Sequence, residues 1–312
     1  MPLHPQVEKF LEETRALPSV DRLSPEQARK LVQTFRQVSL PSVADGVKIS
    51  DRYLLSPYPS IPLRIYTLES SQKPLPIFLF FHGGGWVFGA LQDFDRLCSF
   101  IAKNAECLVI SVGYRLAPEY KFPTAVEDTY AATLWAGQHG QELGGNPAKI
   151  AVGGDSAGGN LAAVVTLMAR ERKQPNIAYQ LLLYPVTNYA FDSFSYNEFS
   201  HGYGLMREEM KWFWSHYLSH PEEGKNPHTS PLQAESLANL PPAGVVIAEF
   251  DVLRSEVEAY CDRLEKYDIE VVRYFCSGLI HGFLSIPNLW KFSEAVIEDI
   301  SLDLRKAFER GS

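Results

Sequence analysis

A serine between closely spaced glycines is the first residue that could do chemistry. Residues Gly154 to Gly158 read GDSAG, which fits the pattern G-x-S-x-G, and they stand between an apolar run, KIAVGG, and a helical pattern, AGGNLAAVVTLMAR. A chain that passes from strand to helix within one residue holds Ser156 in a strained backbone conformation and projects its hydroxyl outward. The three-position match alone arises by chance on the order of 0.1 times in a chain this long, so its context matters more than the pattern. Ser156 is therefore the candidate nucleophile.

A second motif is the run HGGGW at positions 82–86, which directly follows the apolar run PIFLFF. Ester hydrolysis places negative charge on the carbonyl oxygen of the tetrahedral intermediate, and backbone N–H groups aimed at that oxygen stabilise it. Glycines let the backbone approach that closely. The aromatic residues on both sides make a flexible glycine linker the weaker interpretation. The run predicts one part of an oxyanion hole, and the N–H of Ala157, the residue after the serine, is expected to supply another.

A base should follow the serine along the chain. A serine hydroxyl is a weak nucleophile at neutral pH, so a histidine and an acid are expected in the chain order Ser, acid, His. Five histidines follow the serine: His201, His216, His220, His228 and His281. Only His281 follows the last predicted strand, and active-site residues of an open α/β sheet collect at the carboxyl ends of its strands. His281 is the candidate base.

The acid is expected just after another predicted strand. Asp251 follows the apolar run GVVIAEF. Glu249 competes with it, because Glu249 has the same side-chain parity along the strand, but it would lie one pleat deeper. Asp251 is the favoured candidate. The alternative for Asp251 is to cap the helix predicted to begin near Ser255, a role that it could not easily combine with holding His281.

The elements that must position these residues alternate between short apolar runs and longer helical patterns, which is typical of an α/β sheet. Eight strands are predicted, at Val47–Leu54, Leu63–Leu68, Pro76–Phe81, Cys107–Val112, Ile150–Gly153, Gln180–Tyr184, Gly244–Phe250 and Glu270–Phe275. Helices are predicted at Phe94–Lys103, Thr124–Gln138, Ala157–Arg172, Ser255–Lys266 and about Trp290–Phe308. The first two strands read as an antiparallel pair, and the rest of the sheet as mostly parallel.

Two stretches do not fit that alternation. Residues 1–45 hold two amphipathic helical patterns before the first strand, and about 60 residues separate Tyr184 from Gly244, more than a crossover needs. The second stretch is rich in aromatic residues, which suits a lid over an apolar pocket, although the rings could equally form a small core of their own. We therefore expect residues 46–184 and 241–312 to form the catalytic core, and 1–45 and 185–240 to lie outside it.

Composition narrows the function classes. The 312 residues are 46% hydrophobic and 21% charged, with a formal net charge of −8 and no basic patch, which disfavours nucleic acid and anionic membranes as partners. The first ten residues lack the pattern of a secretory leader, and the four cysteines lack metal-ligand or disulfide spacing. No nucleotide-binding or zinc-peptidase motif occurs. The expectation is a cytoplasmic protein, a monomer or homodimer, that needs no metal or cofactor.

Several blocks together resemble the hormone-sensitive-lipase-like carboxylesterases of bacteria and archaea. They are HGGGWVFG, YRLAPE, FPTAVED, GGDSAGGNLAA and a final HGF. The resemblance spans nearly the whole chain. It implies the α/β-hydrolase fold, a triad of Ser156, Asp251 and His281, and a helical cap made from the N-terminus and the insert. It further implies an oxyanion hole from the backbone of Gly84, Gly85 and Ala157.

The resemblance also implies hydrolysis of short to medium acyl esters of small molecules without a cofactor. One block departs from the family, which often reads D-P-L-R-D-E where this chain has DVLRSE at positions 251–256. Losing that proline leaves the loop of the acid less constrained. An amidase, peptidase or acyltransferase with the same triad remains an alternative, and a ligand-binding protein without catalysis is a weaker one.

Overall fold

The computed structural model describes residues 2–37, 43–54, 60–71 and 74–310. Within these residues eight strands form one sheet. The strands are β1 (Val47–Leu54), β2 (Ile61–Leu68), β3 (Leu75–Phe81), β4 (Leu108–Val112), β5 (Gly145–Asp155), β6 (Tyr179–Leu183), β7 (Ala243–Phe250) and β8 (Val271–Ile280). The fold is thus the predicted α/β class, with the predicted number of strands.

The sheet is parallel over most of its width. Its order is β1-β2-β4-β3-β5-β6-β7-β8, with β2 antiparallel to both β1 and β4 and every other neighbouring pair parallel. Because parallel strands share a direction, the carboxyl ends of β5, β7 and β8 lie at the same edge of the sheet. Ser156, Asp251 and His281 each stand directly after one of those three ends.

Helices cover both faces of the sheet. The helices are α1 (Pro5–Thr14), α2 (Pro25–Gln37), α3 (Asp95–Asn104), α4 (Thr124–His139), α5 (Ala157–Arg172), α6 (Phe194–Glu198), α7 (Arg207–Tyr217), α8 (Arg254–Lys266) and α9 (Trp290–Arg310). Residues of α4, α5 and α8 share one hydrophobic cluster, and residues of α3 and α9 share another. Strand β3 divides its side chains between the two clusters by alternation: Ile77, Leu79 and Phe81 face the first, and Phe78 and Phe80 the second.

Strands β5 and β8 extend several residues beyond their predicted bounds, and local irregularities explain why. Strand β5 begins at Gly145 rather than Ile150, because residues before Ile150 pair with β3 across a register shift at Pro76. Strand β8 runs to Ile280 rather than ending at Phe275. Within this extension Gly278 has a φ of 75°, which glycine adopts without strain.

The two stretches outside the alternation carry helices, as expected. Helices α1 and α2 precede β1, and α6 and α7 lie between β6 and β7. Met1 and residues 38–42 of the predicted 1–45 segment lie outside the described residues. The aromatic rings of the insert do not form a separate core, because Tyr196, Trp214 and Tyr217 are buried within the first hydrophobic cluster.

Candidate active site

The turn at Ser156 reverses the chain from strand to helix within one residue. Strand β5 ends at Asp155 and α5 begins at Ala157, and Ser156 between them has φ 55° and ψ −119°. Residues other than glycine rarely adopt these backbone angles, so the turn is strained. Its backbone is held on both sides, because Ser156 N–H donates to the Leu183 carbonyl and Asn160 N–H donates to the Ser156 carbonyl.

Close packing around this turn requires glycine. A Cβ at Gly158 would lie 1.9 Å from the Phe81 carbonyl oxygen, and one at Gly154 would lie 2.3 Å from the same atom. No side chain fits at either distance. The glycines of G-x-S-x-G therefore allow α5 to begin directly against the end of β3.

The three residues predicted from chain order come together at the sheet edge. His281 Nε2 lies 2.9 Å from Ser156 Oγ, and His281 Nδ1 lies 2.7 Å from Asp251 Oδ2. The His281 side chain is 10% exposed and that of Asp251 is 1% exposed, so water has access to the histidine but hardly to the carboxylate. The Tyr184 ring packs edge-on against the imidazole at 4.9 Å between centroids.

Asp251 holds His281 and does not cap α8. While Oδ2 contacts His281, Oδ1 accepts a hydrogen bond from Leu253 N–H at 2.9 Å, just before α8. The N-cap of α8 is Leu253, with no side-chain cap hydrogen bond, so the alternative role of Asp251 as a helix cap is not realised. Each carboxylate oxygen takes one partner. Glu249, the competing acid, instead accepts a hydrogen bond from Gly278 N–H at 2.7 Å, at the irregular part of β8.

The glycine run forms a tight loop beside the serine. Among the hydrogen bonds of the described residues, none uses the N–H of Gly84, Gly85 or Ala157. Gly84 and Gly85 line the same cavity as Ser156 and His281. A Cβ at Gly85 would lie 2.1 Å from the Phe213 ring of α7, so the insert packs directly on this loop.

Asp155 supports that loop, and sequence reasoning did not single it out. Its Oδ1 accepts a hydrogen bond from Gly83 N–H at 2.7 Å, and the residue is 4% exposed. Tyr114, the first residue of YRLAPE, stacks on the His82 ring at 4.4 Å and donates its hydroxyl to the His82 carbonyl. Asp155 could have been noticed in the sequence, because it is a charged residue at the end of an apolar strand and stands next to the serine in GDSAG.

Both predicted outer segments contact the loop from above. The Trp86 ring stacks on Tyr217 at 4.3 Å with an interplanar angle of 4°, and it lies 4.7 Å from Trp214. From the N-terminal side, Arg29 of α2 donates to the Val87 carbonyl at 2.8 Å and forms an ion pair with Glu119. The Arg29 guanidinium holds the pKa of the Glu119 carboxyl at about 2, well below its usual range.

A cavity of about 250 Å³ opens at Ser156. Its walls come from the core, at Gly84 and His281, and from the outer segments, at Val32 and Phe213. A larger cavity of about 670 Å³, bounded by α1, α2 and residues 202–209, shares Val32 with it. The site is therefore enclosed by both segments that lie outside the α/β alternation.

A buried carboxyl lies close to the acid. Glu256 in α8 is 5% exposed, and its Oε1 accepts hydrogen bonds from Thr187 N–H at 2.6 Å and Asn188 N–H at 3.1 Å. Burial raises its pKa to about 8 against the lowering effect of these bonds, and the negative charge of Asp251 adds to the increase.

The described residues contain no cluster of histidine, cysteine or acidic side chains that could hold a metal ion. In that same part of the chain, no helix has the length and apolar character needed to cross a bilayer. All four cysteines are buried and none forms a disulfide.

The chain is similar to known esterases in sequence and in fold. A family with the α/β-hydrolase fold matches residues 78–285, which include the glycine run, Ser156, Asp251 and His281. The chain is 38% identical to the carboxylic ester hydrolase LipN of Mycobacterium tuberculosis over 87% of this chain and 74% of that protein. It is 35% identical to an arylesterase of Saccharolobus solfataricus over 98% and 100% of the two chains. A solved structure of a thermostable esterase from Pseudomonas putida superposes with a TM-score of 0.93, at 35% identity and 98% coverage of each chain.

The buried Glu256 carboxyl should make stability depend on pH. In the unfolded chain the carboxyl ionises near pH 4.5, whereas in the folded protein it stays protonated up to about pH 8. The stability it contributes is therefore complete below pH 4.5 and is lost as pH rises to about 8, at up to about 1.4 kcal/mol per pH unit. Glu256→Gln removes this titration and keeps an acceptor oxygen. We expect the variant to gain a few kcal/mol relative to wild type between pH 5 and pH 8, measured by urea unfolding.

Glu258→Gln is the matched control, because Glu258 lies in the same helix but is partly exposed and paired with Arg254. It should follow the wild-type pH dependence. Parallel curves for Glu256→Gln and wild type would contradict the assignment.

Proposed function

This chain belongs to the α/β-hydrolase family, in its hormone-sensitive-lipase-like branch, and is a carboxylic ester hydrolase; from that premise we propose that it works through an acyl-enzyme on Ser156. The observation that carries the proposal is the continuous contact from Ser156 Oγ through His281 to Asp251, with distances of 2.9 and 2.7 Å. A nucleophile, a base and an orienting acid in hydrogen-bond reach are the arrangement that acyl transfer requires.

In the first half of the reaction, Ser156 Oγ forms a bond to the carbonyl carbon of the ester while its proton moves to His281 Nε2. The carbonyl oxygen takes the negative charge. When the tetrahedral intermediate collapses, the bond to the alkoxy oxygen breaks and that oxygen receives the proton from His281. Water then repeats the sequence on the acyl-enzyme, which releases the carboxylic acid and restores the Ser156 hydroxyl.

Each of the surrounding groups stabilises one of the charges that form during this reaction. Asp251 accepts from His281 Nδ1, which fixes the tautomer with Nε2 facing the serine and stabilises the imidazolium that forms. The N–H groups of Gly84, Gly85 and Ala157 are proposed to donate to the oxyanion. Their lack of other partners in the described residues supports this role, because donors that are already oriented need no rearrangement during the reaction.

We further propose that residues 1–45 and 185–240 act as a cap on a core formed by 46–184 and 241–312. The contacts of Phe213 with Gly85 and of Arg29 with Val87 support this division, since both outer segments reach the loop of the oxyanion hole. A site enclosed in this way suits a small ester that enters dissolved in water. Its apolar walls favour short to medium acyl chains.

Ser156→Ala should remove nearly all esterase activity while the protein still folds. Without the hydroxyl no acyl-enzyme forms, and we expect kcat to fall by about 10⁴-fold or more. The measurement is p-nitrophenyl ester hydrolysis together with mass spectrometry after treatment with an organophosphonate. Wild type should gain one adduct and the variant none. A variant that kept a tenth of wild-type kcat would mean that Ser156 is not the nucleophile.

Asp251→Asn should slow the enzyme by up to about 10⁴-fold in kcat with little loss of folding, because the amide favours the wrong imidazole tautomer. Glu249→Gln is the matched control, since it is the nearby acid on the same strand and does not contact His281 in the structure. We expect a much milder effect from it. The opposite ranking of the two variants would move the acid to Glu249.

Activity should rise and then fall along a series of straight-chain esters. Each added methylene in an enclosed apolar pocket gains up to about 0.8 kcal/mol until the walls are met, after which overpacking costs as much or more. We expect kcat/KM for p-nitrophenyl esters to peak at acyl chains of about four to eight carbons, a length that follows from the family resemblance. Removing residues 1–45 should weaken both binding and chemistry. A peak at palmitate, or activation by emulsions, would refute the proposal that the cap encloses the site.

A further inference from the structure

The loop after Asp251 is tied to the cap insertion by a pair of serines. Ser195 N–H donates to Ser255 Oγ at 3.1 Å, and Ser255 N–H donates to Ser195 Oγ at 3.0 Å. The Ser195 hydroxyl in turn donates to the Val252 carbonyl at 2.6 Å. Ser195 is fully buried at the start of α6, whereas Ser255 lies in the first turn of α8. We call these three bonds the serine clasp.

The clasp acts at the residues where this chain departs from its family. The family block D-P-L-R-D-E has proline after the acid, but this chain has Val252, and it has Ser255 at the position of the second aspartate. Proline would fix φ of residue 252. Here the peptide between Val252 and Leu253 is instead held from outside, because its carbonyl oxygen accepts from the Ser195 hydroxyl of the cap insertion.

We propose that Ser195 is a positioning residue for the acid, and that the serine clasp replaces the constraint that proline supplies elsewhere in the family. This inference rests on the proposed function, because it takes Asp251 as the acid. Val252 is bonded directly to Asp251, and the next N–H, that of Leu253, donates to Asp251 Oδ1. Any shift of the Val252 carbonyl therefore moves the carboxylate relative to His281.

The first residues of the insertion are also hydrogen-bonded to Ser156, which fixes the position of the segment that carries the clasp. Val186 N–H donates to the Ser156 carbonyl at 3.2 Å, and the adjacent Thr187 N–H donates to Glu256 Oε1 at 2.6 Å. The segment that leads to Ser195 is thus bound to the serine turn on one side and to α8 on the other. A clasp anchored in this way holds the acid in register with the serine and not only with the cap.

The test removes the hydroxyl and then supplies the family's proline. Ser195→Ala should lower kcat by about 10- to 100-fold, the size of effect expected from a small misplacement of a catalytic group, with KM nearly unchanged because Ser195 does not line the cavity. Adding Val252→Pro to this variant should restore most of the lost kcat. Proline removes no bond there, because no hydrogen bond of the Val252 N–H occurs among those of the described residues.

Ser193→Ala is the matched control. Ser193 accepts a hydrogen bond from Tyr196 N–H as the N-cap of α6, and its Oγ lies within hydrogen-bond distance of Ser195 Oγ, at 3.3 Å. Among the hydrogen bonds of the described residues, none joins Ser193 to Val252 or Ser255. It should lower Tm without lowering kcat. A loss of kcat in this control equal to that of Ser195→Ala would reduce the clasp to a structural support of α6 and overturn the proposal.

Two further results would also overturn the proposal: kcat of Ser195→Ala within twofold of wild type, or a double variant that regains Tm but no kcat. If Ser195→Ala does not fold, Ser195→Cys keeps the volume with a weak donor and should show the same rescue by Val252→Pro. Failure of the proposed function is distinguished by Ser156→Ala and Asp251→Asn, which should abolish or strongly reduce activity whether or not the clasp matters.

Discussion

The one-residue reversal at Ser156 is the constraint on which the rest of the site depends. Because β5 ends at Asp155 and α5 begins at Ala157, the serine has a positive φ that an ordinary loop would not impose. The helix can begin there only because Gly158 meets the Phe81 carbonyl without a Cβ between them. Phe81 is also the last residue of β3, so the positions of Ser156 and of the glycine run that begins at Gly83 depend on the same contact.

Strain of this kind persists only where the surroundings hold it. Helix α5 supplies much of that hold, since nearly all of its residues are buried between the sheet and the neighbouring helices. Two polar side chains next to the turn add hydrogen bonds to this hold. The Asp155 carboxylate takes the Gly83 N–H, and the amide of Asn160 donates to the Val186 and Thr229 carbonyls. The turn is therefore fixed by packing and by hydrogen bonds that tie it to the glycine loop and to the insertion.

The outer segments are joined to the core at the groups that would do the chemistry. Helix α2 reaches the carbonyl of Val87, α7 stacks its rings on Trp86, and the start of α6 binds the loop that follows Asp251. An ester bound in the cavity would thus lie against the same outer segments that contact the glycine loop and the loop after Asp251. The buried rings of the insertion belong to the same hydrophobic cluster as α4, α5 and α8, so the insertion packs as part of the core.

The fold class, the number of strands and the three residues that meet at the sheet edge were all predictable from the sequence. Those follow from local rules: alternation of apolar runs, the chain order of Ser156, Asp251 and His281, and their places after strand ends. The ends of β5 and β8 were less predictable, because register shifts and one glycine with positive φ extend them beyond their apolar runs.

The surroundings of these three residues depend on how the chain packs and could not be predicted from the sequence. The support of the glycine loop by Asp155, the buried Glu256 and the binding of Val252 by Ser195 join residues far apart in the chain, through single hydrogen bonds that leave no periodic pattern. The same is true of the two carboxylate oxygens of Asp251, whose separate partners depend on where α8 begins relative to His281. The hydrophobic period and the order of strands along the chain can be found in the sequence. The hydrogen-bond partner of a polar side chain is set only when the chain packs.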